Sequence, residues 1–533
     1  RMSRRVEDEN KRGTTARRKS TASGHSKSQR SNRVRQGIEV MNLDQADREA
    51  ARPHGSMRTR SRKSGKTGRN LEFLIITYLF LTIFIGMIGY FVYFQLVKSE
   101  SIINSSYNSR LDLYAEHVVR GDITAADGTV LAKTTVNDDG SETREYPYGR
   151  MFAHVVGYMN NGKGGLESQY NFNLLRSHSF FLTQIINDLK NEKNTGDTLV
   201  TTLDYDVQKT AYDALGDRDG AVVVMEPKTG KILAMVSKPD YDPNTLADKW
   251  DDIVSDNSSS VLLNRVTSGL YPPGSTFKIF TTLEYVHENP NYQDYSFNCE
   301  GELNVDGNEI HCYHKSVHGQ ENLKDSFANS CNTSFSNIGL SLNITKFQEL
   351  CNDMLFNQKL PGTLSGSKSS FTLSKDADKG KIMQTSIGQG DTLVSPLHMV
   401  FVASAIANNG VAMEPYVVDY VENDGGVHVK NYKEKEYGQL LSESDAALLQ
   451  DYMRGVVENG TGKALNGQSY TAYGKTGSAE YNSAGDSHGW FVGYGTKEGY
   501  NDIAIAVIVE DGGSGSQSAV PVTKQIFDVY FNK

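Results

Sequence analysis

The chain has 533 residues, 38% of them hydrophobic and 22% charged, and its formal net charge is −9. This length excludes a single small domain and predicts several structural units. No tandem repeat is visible, and neither a nucleic-acid partner nor a cofactor is expected. The charge is divided unevenly, because residues 1–70 carry +13 and residues 71–533 carry −22.

The basic head, residues 1–70, is poor in apolar residues and rich in Ser, Arg, Gly and Lys. That composition predicts a disordered cytoplasmic tail. Two interpretations stay open. The tail either only helps to set the membrane orientation, or it is also attracted to anionic lipid, where each nearby Lys or Arg adds about 1 kcal/mol.

An apolar segment follows, from Leu71 to Val97, with Glu72 as its one charged residue. It exceeds the ~20 residues that a helix needs to cross a bilayer. Because positive charge stays on the cytoplasmic side, the +13 head predicts a cytoplasmic N-terminus. The large C-terminal part is then expected outside the cell membrane.

Two further units are predicted beyond this span. Residues 98–205 contain short strand-like runs broken by Asp-Gly and Asn-Gly turns, which predicts a β-rich membrane-proximal pedestal without a catalytic set. Residues 206–533 begin and end with strands and have helices between them, which predicts an α+β domain with a mainly antiparallel sheet. The predicted strands are Gly220–Met225, Ile232–Val236, Phe491–Tyr494 and Ile503–Val509, and the predicted helices are Phe277–Tyr285, Leu323–Ile338 and Pro396–Asn408.

Three short motifs in the second unit carry the chemistry: Ser275-Thr-Phe-Lys278, Ser330-Cys-Asn332 and Lys475-Thr-Gly477. Residues at i and i+3 share one face of a helix, so an amine would lie within reach of the hydroxyl that it could activate. Pro272, Pro273 and Gly274 precede the serine, and Pro favours a helix start. Each motif alone is weak, but the three in this order are a strong signal of an activated serine nucleophile.

The order of these motifs resembles that of the penicillin-binding proteins and serine β-lactamases. The flanks resemble the class B high-molecular-mass penicillin-binding proteins over roughly residues 110 to 533. The segments that carry this resemblance are Arg120–Ile123, Asp127–Ala132, Gly165–Glu167, Gly230–Ser237, Asp242–Asn244, Tyr271–Lys278, Ile387–Gly390, Ser395–Leu397 and Gly474–Glu480. Ser478 stands where many relatives have Thr and retains a hydroxyl.

The resemblance implies a penicillin-binding transpeptidase fold on a pedestal of the dimerisation type. It also implies a reaction on peptidoglycan stem peptides that end in D-Ala-D-Ala. Ser275 would be the nucleophile, and Lys278 would be its base once burial and neighbouring cations lower the pKa of that amine. Ser330 would relay a proton to the leaving amine. Lys475 would attract the carboxylate of the substrate.

Four residues are assigned to substrate binding on the same basis. Thr476 would offer its hydroxyl to the substrate carboxylate, and Asn332 would hydrogen-bond a stem-peptide amide. Gly477 would let the substrate lie along the strand as an added strand. Ser478, together with Ser275, would supply the backbone N–H groups of an oxyanion hole.

These observations favour a membrane-anchored D,D-transpeptidase that is acylated by β-lactam antibiotics. Two alternatives stay open: a D,D-carboxypeptidase or other hydrolase that uses the same acyl-enzyme, and a non-catalytic β-lactam-binding scaffold. No glycosyltransferase domain fits between Val97 and Gly220. The resemblance therefore implies a separate membrane glycosyltransferase of the shape, elongation, division and sporulation type as a partner, beside membrane lipid.

Four cysteines complete the set of reactive residues. Cys299 and Cys312 flank a predicted hairpin over residues 301–307, where a disulfide or free thiols are one interpretation. His311, His314 and His318 crowd the same loop, so a metal site built on Cys299, His311 and Cys312 is the rival interpretation. Cys331 and Cys351 are expected to be buried small apolar residues.

Overall fold

The computed structural model describes residues 67–98, 115–256, 260–481 and 486–533. The predicted tail lies outside these residues except for its last four positions. Residues 99–114 of the predicted pedestal also lie outside them.

A long apolar helix, α1, runs over Thr67–Tyr93 and is followed by a short π-helix over Phe94–Lys98. The stretch Leu71–Tyr93 is long and apolar enough to cross a membrane, and no other helix in the described residues is. Its side chains are exposed throughout. The predicted apolar helix is therefore present, although its regular α-helical part ends four residues before Val97.

In the described residues beyond 118, the other α-helices lie between residues 153 and 531. They are α2 Ala153–Val156, α3 Gly165–Gln169, α4 Asn171–Leu174, α5 Phe181–Lys190, α6 Tyr205–Leu215, α7 Trp250–Ser255, α8 Arg265–Ser268, α9 Lys278–Glu288, α10 Leu323–Ala328, α11 Asn332–Ser341, α12 Ile344–Asp353, α13 Lys379–Ser386, α14 Pro396–Ala407, α15 Glu443–Glu458 and α16 Ala519–Phe531.

The strands alternate with these helices along the chain. They are β1 Val118–Val119, β2 Ile123–Thr124, β3 Val130–Val136, β4 Glu142–Glu145, β5 Asn194–Thr195, β6 Thr198–Thr201, β7 Gly220–Met225, β8 Ile232–Lys238, β9 Phe297–Cys299, β10 Glu302–Val305, β11 Asn308–His311, β12 Gly319–Glu321, β13 Val411–Met413, β14 Val418–Glu422, β15 His428–Asn431, β16 Glu436–Gln439, β17 Thr471–Glu480, β18 Ser487–Thr496 and β19 Ile503–Val509.

A five-stranded antiparallel sheet in the order β17-β18-β19-β7-β8 forms the centre of the C-terminal unit. Both faces of its central strands are covered, which explains their continuous apolar sequence. In β7, Val223 packs into the core that contains helix α14, whereas Val222 and Val224 pack into the core that contains α6 and α16. The predicted α+β architecture with an antiparallel sheet is confirmed.

A second sheet, in the order β15-β14-β6-β2-β3-β4, lies in the N-terminal unit. Four of its strands come from residues 123–201, but β14 and β15 come from residues 418–431 and join through the antiparallel pairing of β14 with β6. The chain therefore returns to complete a sheet that it began about 300 residues earlier. The predicted boundary between the pedestal and the second unit at residue 205 stays a prediction, because strands from both sides of that residue share this sheet.

A buried ion cluster holds the N-terminal unit together. Glu167 is fully buried and accepts hydrogen bonds from Arg120 Nε at 2.6 Å and from Arg144 Nε at 2.7 Å. Arg120 and Glu167 belong to two of the segments that carried the family resemblance. Arg120 lies just before β2 and Glu167 lies in α3, so the cluster joins these two segments. Buried charges of this kind are tolerable inside the protein only when they are paired.

The helix predicted over Leu323–Ile338 is wrong as one continuous element. Helix α10 ends at Ala328 and α11 begins at Asn332, with a turn between them. Ser330 in that turn has the left-handed φ of 58°, which interrupts a right-handed helix. Cys331 then caps α11, because its Sγ accepts a hydrogen bond from Ser334 N at 3.4 Å.

Candidate active site

Ser275 lies in a short 3-10 helix, Gly274–Phe277, that leads directly into α9. Gly274 has a φ of +52°, and a Cβ at this position would lie 2.6 Å from Ser478 O, so only glycine fits where the turn meets β17. Ser275 is half-buried, and its Oγ makes no hydrogen bond with any described residue. The hydroxyl is therefore held at the start of a helix without an internal partner.

Lys278, one turn after Ser275, is completely buried. Its Nζ donates hydrogen bonds to Ser330 O at 2.7 Å and to Asn332 Oδ1 at 2.8 Å, and it lies 3.4 Å from Ser330 Oγ. The turn between α10 and α11 and the first residue of α11 thus supply the two acceptors. The break positions the serine and the asparagine around one amine, which a continuous helix would not do.

Ser330 also contacts the third motif. Lys475 Nζ donates to Ser330 Oγ at 2.8 Å and to Thr476 O at 2.9 Å, and Lys475 is completely buried. The hydroxyl of Ser330 therefore stands between two lysine amines that are 197 residues apart in the sequence. This is the geometry that a proton relay requires.

Burial acts on both amines. It lowers the pKa of Lys278 to about 8, because the charged form loses its hydration. Burial also lowers the pKa of Lys475 well below its ordinary value, and repulsion from Lys278 adds to this effect. A buried amine with a pKa near the working pH is suited to act as a general base.

Strand β17 brings Lys475, Thr476, Gly477 and Ser478 to the edge of the five-stranded sheet. A Cβ on Gly477 would lie 3.0 Å from Pro273 O and 3.1 Å from both Thr276 Cγ2 and Trp490 Cβ, so the segment before Ser275 approaches the strand closely there. An edge strand has unpaired backbone groups on one side that can pair with an extended peptide.

Several supporting residues are not evident from the motifs. Trp490 Nε1 donates to Pro272 O at 3.0 Å, which fixes the turn before the serine to β18. Thr461 Oγ1 lies 2.5 Å from Thr476 Oγ1 and orients the Thr476 hydroxyl. Nothing in the sequence marks these residues, because each acts through a contact that only the folded chain creates.

The structure brings Lys278, Ser330, Asn332 and Lys475 together through hydrogen bonds. The side chain of Asn332 is used differently from the expectation. Its Nδ2 donates to His311 O at 2.9 Å while its Oδ1 accepts from Lys278, so the amide holds the lysine in place. Contact between Asn332 and a stem-peptide amide stays a prediction.

The cysteine cluster differs from the predicted set of Cys299, His311 and Cys312, because it lacks His311 and includes His318 and Cys331. Cys299 and Cys312 converge with His318 and Cys331 in one buried cluster, and all four cysteines of the chain are free thiols. His311 lies apart, beside Glu302 and Glu309. It points elsewhere because it is the last residue of β11 and pairs there with Glu302 of β10.

Comparison with known proteins agrees with this arrangement. Residues 220–528 match the penicillin binding protein transpeptidase domain, and residues 120–199 match the penicillin binding protein A dimerisation domain. The peptidoglycan D,D-transpeptidase PbpA of Mycolicibacterium smegmatis is 31% identical over 443 residues, which cover 77% of this chain and 88% of that protein. MrdA of Acinetobacter baumannii, also a peptidoglycan D,D-transpeptidase, is 28% identical and covers 73% of this chain and 66% of that protein.

Solved structures give the same result. The ceftriaxone acyl-enzyme complex of penicillin-binding protein A from M. tuberculosis is 27% identical, with a TM-score of 0.71 over 79% of this chain and 99% of that one. The D,D-transpeptidase domain of a peptidoglycan glycosyltransferase from Eggerthella lenta is 31% identical, with a TM-score of 0.69 over 78% and 99%. The two family matches cover most of the described chain beyond α1, and this chain therefore belongs to the penicillin-binding proteins, as a class B type with a transpeptidase domain.

Proposed function

We propose that the protein is a membrane-anchored peptidoglycan D,D-transpeptidase that cross-links stem peptides through an acyl-enzyme on Ser275. One observation carries the proposal. The Lys278 amine is buried one turn after Ser275, and hydrogen bonds to Ser330 and Asn332 fix its position. A β-lactam would acylate the same serine.

In the acylation step, neutral Lys278 takes the proton of Ser275 Oγ, and the oxygen attacks the carbonyl carbon of the penultimate D-Ala. The backbone N–H groups of Ser275 and Ser478 stabilise the oxyanion; one such donor contributes about 3 kcal/mol. The C–N bond then breaks. The departing amine of D-Ala receives its proton from Lys278 through Ser330 Oγ, which lies within reach of both lysines.

In the second step, the amine of a neighbouring stem peptide attacks the ester carbonyl. The new C–N bond forms and the C–O bond to Ser275 breaks. The proton of the attacking amine passes to Ser275 Oγ through Lys278, which restores the enzyme. Water in place of the amine would give a hydrolase, so the acceptor separates the two activities.

Substrate binding is assigned to β17. The carboxylate of the terminal D-Ala lies against Thr476 Oγ1 and the charge of Lys475, and the stem peptide pairs along the edge strand near Gly477. The close approach of Pro273 to Gly477 supports this placement, since it brings the bound strand next to Ser275.

We also propose the cellular arrangement. Residues 1–70 form the cytoplasmic tail, 71–97 the membrane span, 98–205 the pedestal and 206–533 the transpeptidase domain outside the membrane. The +13 charge of the head supports this orientation. A membrane glycosyltransferase of the shape, elongation, division and sporulation type supplies the glycan strand, and anionic lipid is a further contact of the tail.

The proposal is tested by acylating the purified full-length protein with a β-lactam, digesting it and locating the adduct by mass spectrometry. We expect the label on Ser275 and none on the Ser275→Ala variant. A label on another serine would overturn the assignment.

The acceptor is tested with a stem-peptide thioester and a D-amino acid. We expect the aminolysis product to dominate over the hydrolysis product. Hydrolysis alone would identify a carboxypeptidase, and acylation without turnover would identify a β-lactam-binding scaffold.

A further inference from the structure

We propose that helix α5 of the pedestal is a second membrane contact, whose apolar side chains insert into the surface of the bilayer that α1 crosses. The inference rests on the proposed membrane anchoring and adds to it a surface that holds the pedestal against the lipid. The side chains concerned, here called the α5 apolar face, are Phe180, Phe181, Leu182, Ile185, Ile186 and Leu189.

The α5 apolar face points away from the protein. Its six side chains are between 37% and 82% exposed, and Leu189 is the most exposed of them. Those within α5 stand at positions 181, 182, 185, 186 and 189, a spacing that forms one continuous stripe along a helix. No residue of α5 is buried, so no part of the chain that the structure describes covers this stripe.

The polar side chains lie on the opposite side of α5, where they are half-buried. Gln184 Nε2 donates to Ser179 O at 2.9 Å, and Asn187 Nδ2 donates to Asn194 Oδ1 at 3.0 Å. A surface helix of a globular protein normally has the reverse arrangement, with apolar side chains inward and polar ones outward. An exposed apolar stripe of this kind marks contact with a membrane or a partner.

The path of the chain favours the membrane. Residues 99–114 connect the α1 segment to Ala115, and even a fully extended segment of this length reaches at most about 60 Å. Lys193, which follows closely after α5, donates to Ala115 O at 2.9 Å. Strand β5 then pairs with β1, the first strand of the described residues. Helix α5 is therefore fixed beside the point where the folded unit is tied to the bilayer, so the effective concentration of lipid around it is high.

The charges around α5 indicate how it would bind. Asp188 and Glu192 balance Lys190 and Lys193, so attraction to anionic lipid contributes little. The apolar face itself would supply the binding, with the helix axis in the plane of the interface and its apolar side chains at the boundary between headgroups and acyl chains.

The first test measures contact with lipid. The full-length Leu189→Trp variant is reconstituted into phosphatidylcholine vesicles that have bromine on their acyl chains. We expect these vesicles to quench its emission, relative to unbrominated vesicles, beyond the loss seen with the two native tryptophans alone. Val317→Trp is the matched control, because Val317 is 69% exposed in the loop before β12. It should show only the native loss, and equal quenching at both positions, or none at Leu189→Trp, would overturn the proposal.

Variants then separate apolar insertion from charge. With Phe181→Trp as the reporter, Ile186→Glu together with Leu189→Glu should abolish the quenching. Lys190→Glu changes the net charge by the same amount but leaves the apolar face intact, so it should retain the quenching. Zwitterionic and anionic vesicles should give the same result. Loss of quenching in Lys190→Glu, or quenching in anionic vesicles only, would contradict apolar insertion.

The acylation rate with a β-lactam controls for misfolding. The detergent-solubilised Ile186→Glu/Leu189→Glu protein should match the wild type, because neither residue belongs to the active site. If the pair impairs acylation, the single variant Leu189→Glu at the most exposed position replaces it in the quenching test.

A photoreactive side chain at position 189 identifies what covers the face in cells. Cross-linking to lipid supports the proposal, whereas cross-linking to residues 99–114, to a second copy or to another protein in place of lipid would overturn it. Flotation of the protein with vesicles tests the anchoring by α1 separately. A protein that floats without quenching of Leu189→Trp would disprove the α5 contact and leave the proposed anchor and function intact.

Discussion

Two buried lysines share one hydroxyl at the centre of the site. Lys475 donates to Ser330 Oγ, and Lys278 lies within 3.4 Å of the same atom. Two ammonium groups this close in a dry pocket repel each other, so at most one is held charged at little cost. The pair is therefore suited to moving a proton through Ser330.

This arrangement predicts a pH dependence of acylation. The base must be neutral, and burial lowers the pKa of Lys278 to about 8. At pH 7 about one tenth of the amine is then neutral. The second-order acylation rate should rise about tenfold per pH unit below pH 8 and level off above it. A rate that is flat between pH 6 and 8 would contradict the role of Lys278.

Replacing Lys475 should affect acylation differently from replacing Lys278. Lys278→Ala should abolish acylation at any ligand concentration. Lys475→Ala should lower the acylation rate by about ten- to a few-hundred-fold, because it removes charge-assisted bonds worth about 1.5–3 kcal/mol to the ligand carboxylate. The measurement is acylation kinetics with a ligand that has the carboxylate.

A ligand that lacks the carboxylate is the control for Lys475. The rate of acylation by this ligand should fall much less in Lys475→Ala, because the ligand has no carboxylate to bond with Lys475. Equal losses on both ligands would reassign Lys475 from recognition to proton transfer, a role that its bond to Ser330 Oγ also permits.

At the scale of elements, a buried ion cluster connects segments of the N-terminal unit. Glu167 ties α3 to the segments that carry Arg120 and Arg144. Burial alone would raise the pKa of Glu167, but the charges of the two arginines lower it below its ordinary value. The carboxylate therefore stays charged in the interior.

Glu167→Gln should destabilise this unit by about 3–5 kcal/mol, because it leaves two buried guanidinium groups without their counter-ion. Asp213→Asn is the matched control. It removes a carboxylate from an exposed ion pair with Lys209, and such pairs contribute about 0–1 kcal/mol. Chemical denaturation of both variants measures the difference, and equal stability would show that the cluster contributes nothing.

At the scale of the whole molecule, the charge division predicts the topology. A +13 head before one apolar helix should keep the N-terminus inside and residues 98–533 outside. Protease added to intact spheroplasts should remove the large C-terminal part and leave a short membrane fragment. Protection of the C-terminal part would reverse the orientation.

The sequence by itself determined the local helices and strands of this protein and the motifs that carry its chemistry. The apolar helix from Leu71, the strands Gly220–Met225 and Ile503–Val509 and the helix from Pro396 were all predicted and are present. Local periodicity and turn residues decide such elements, and they can be read along the chain. The ordered motifs likewise indicated the family, because each is a short contiguous segment.

Only the tertiary structure decided how these pieces meet. The turn at Ser330 breaks a stretch that looked like one helix, since the hydrogen bonds that Ser330 accepts from Lys278 and Lys475 compensate for its left-handed conformation. His318 rather than His311 lies with the cysteines. Strand β14, from the C-terminal half of the chain, pairs with β6 and extends the N-terminal sheet. These choices depend on contacts between segments far apart in the chain, and no local pattern encodes them.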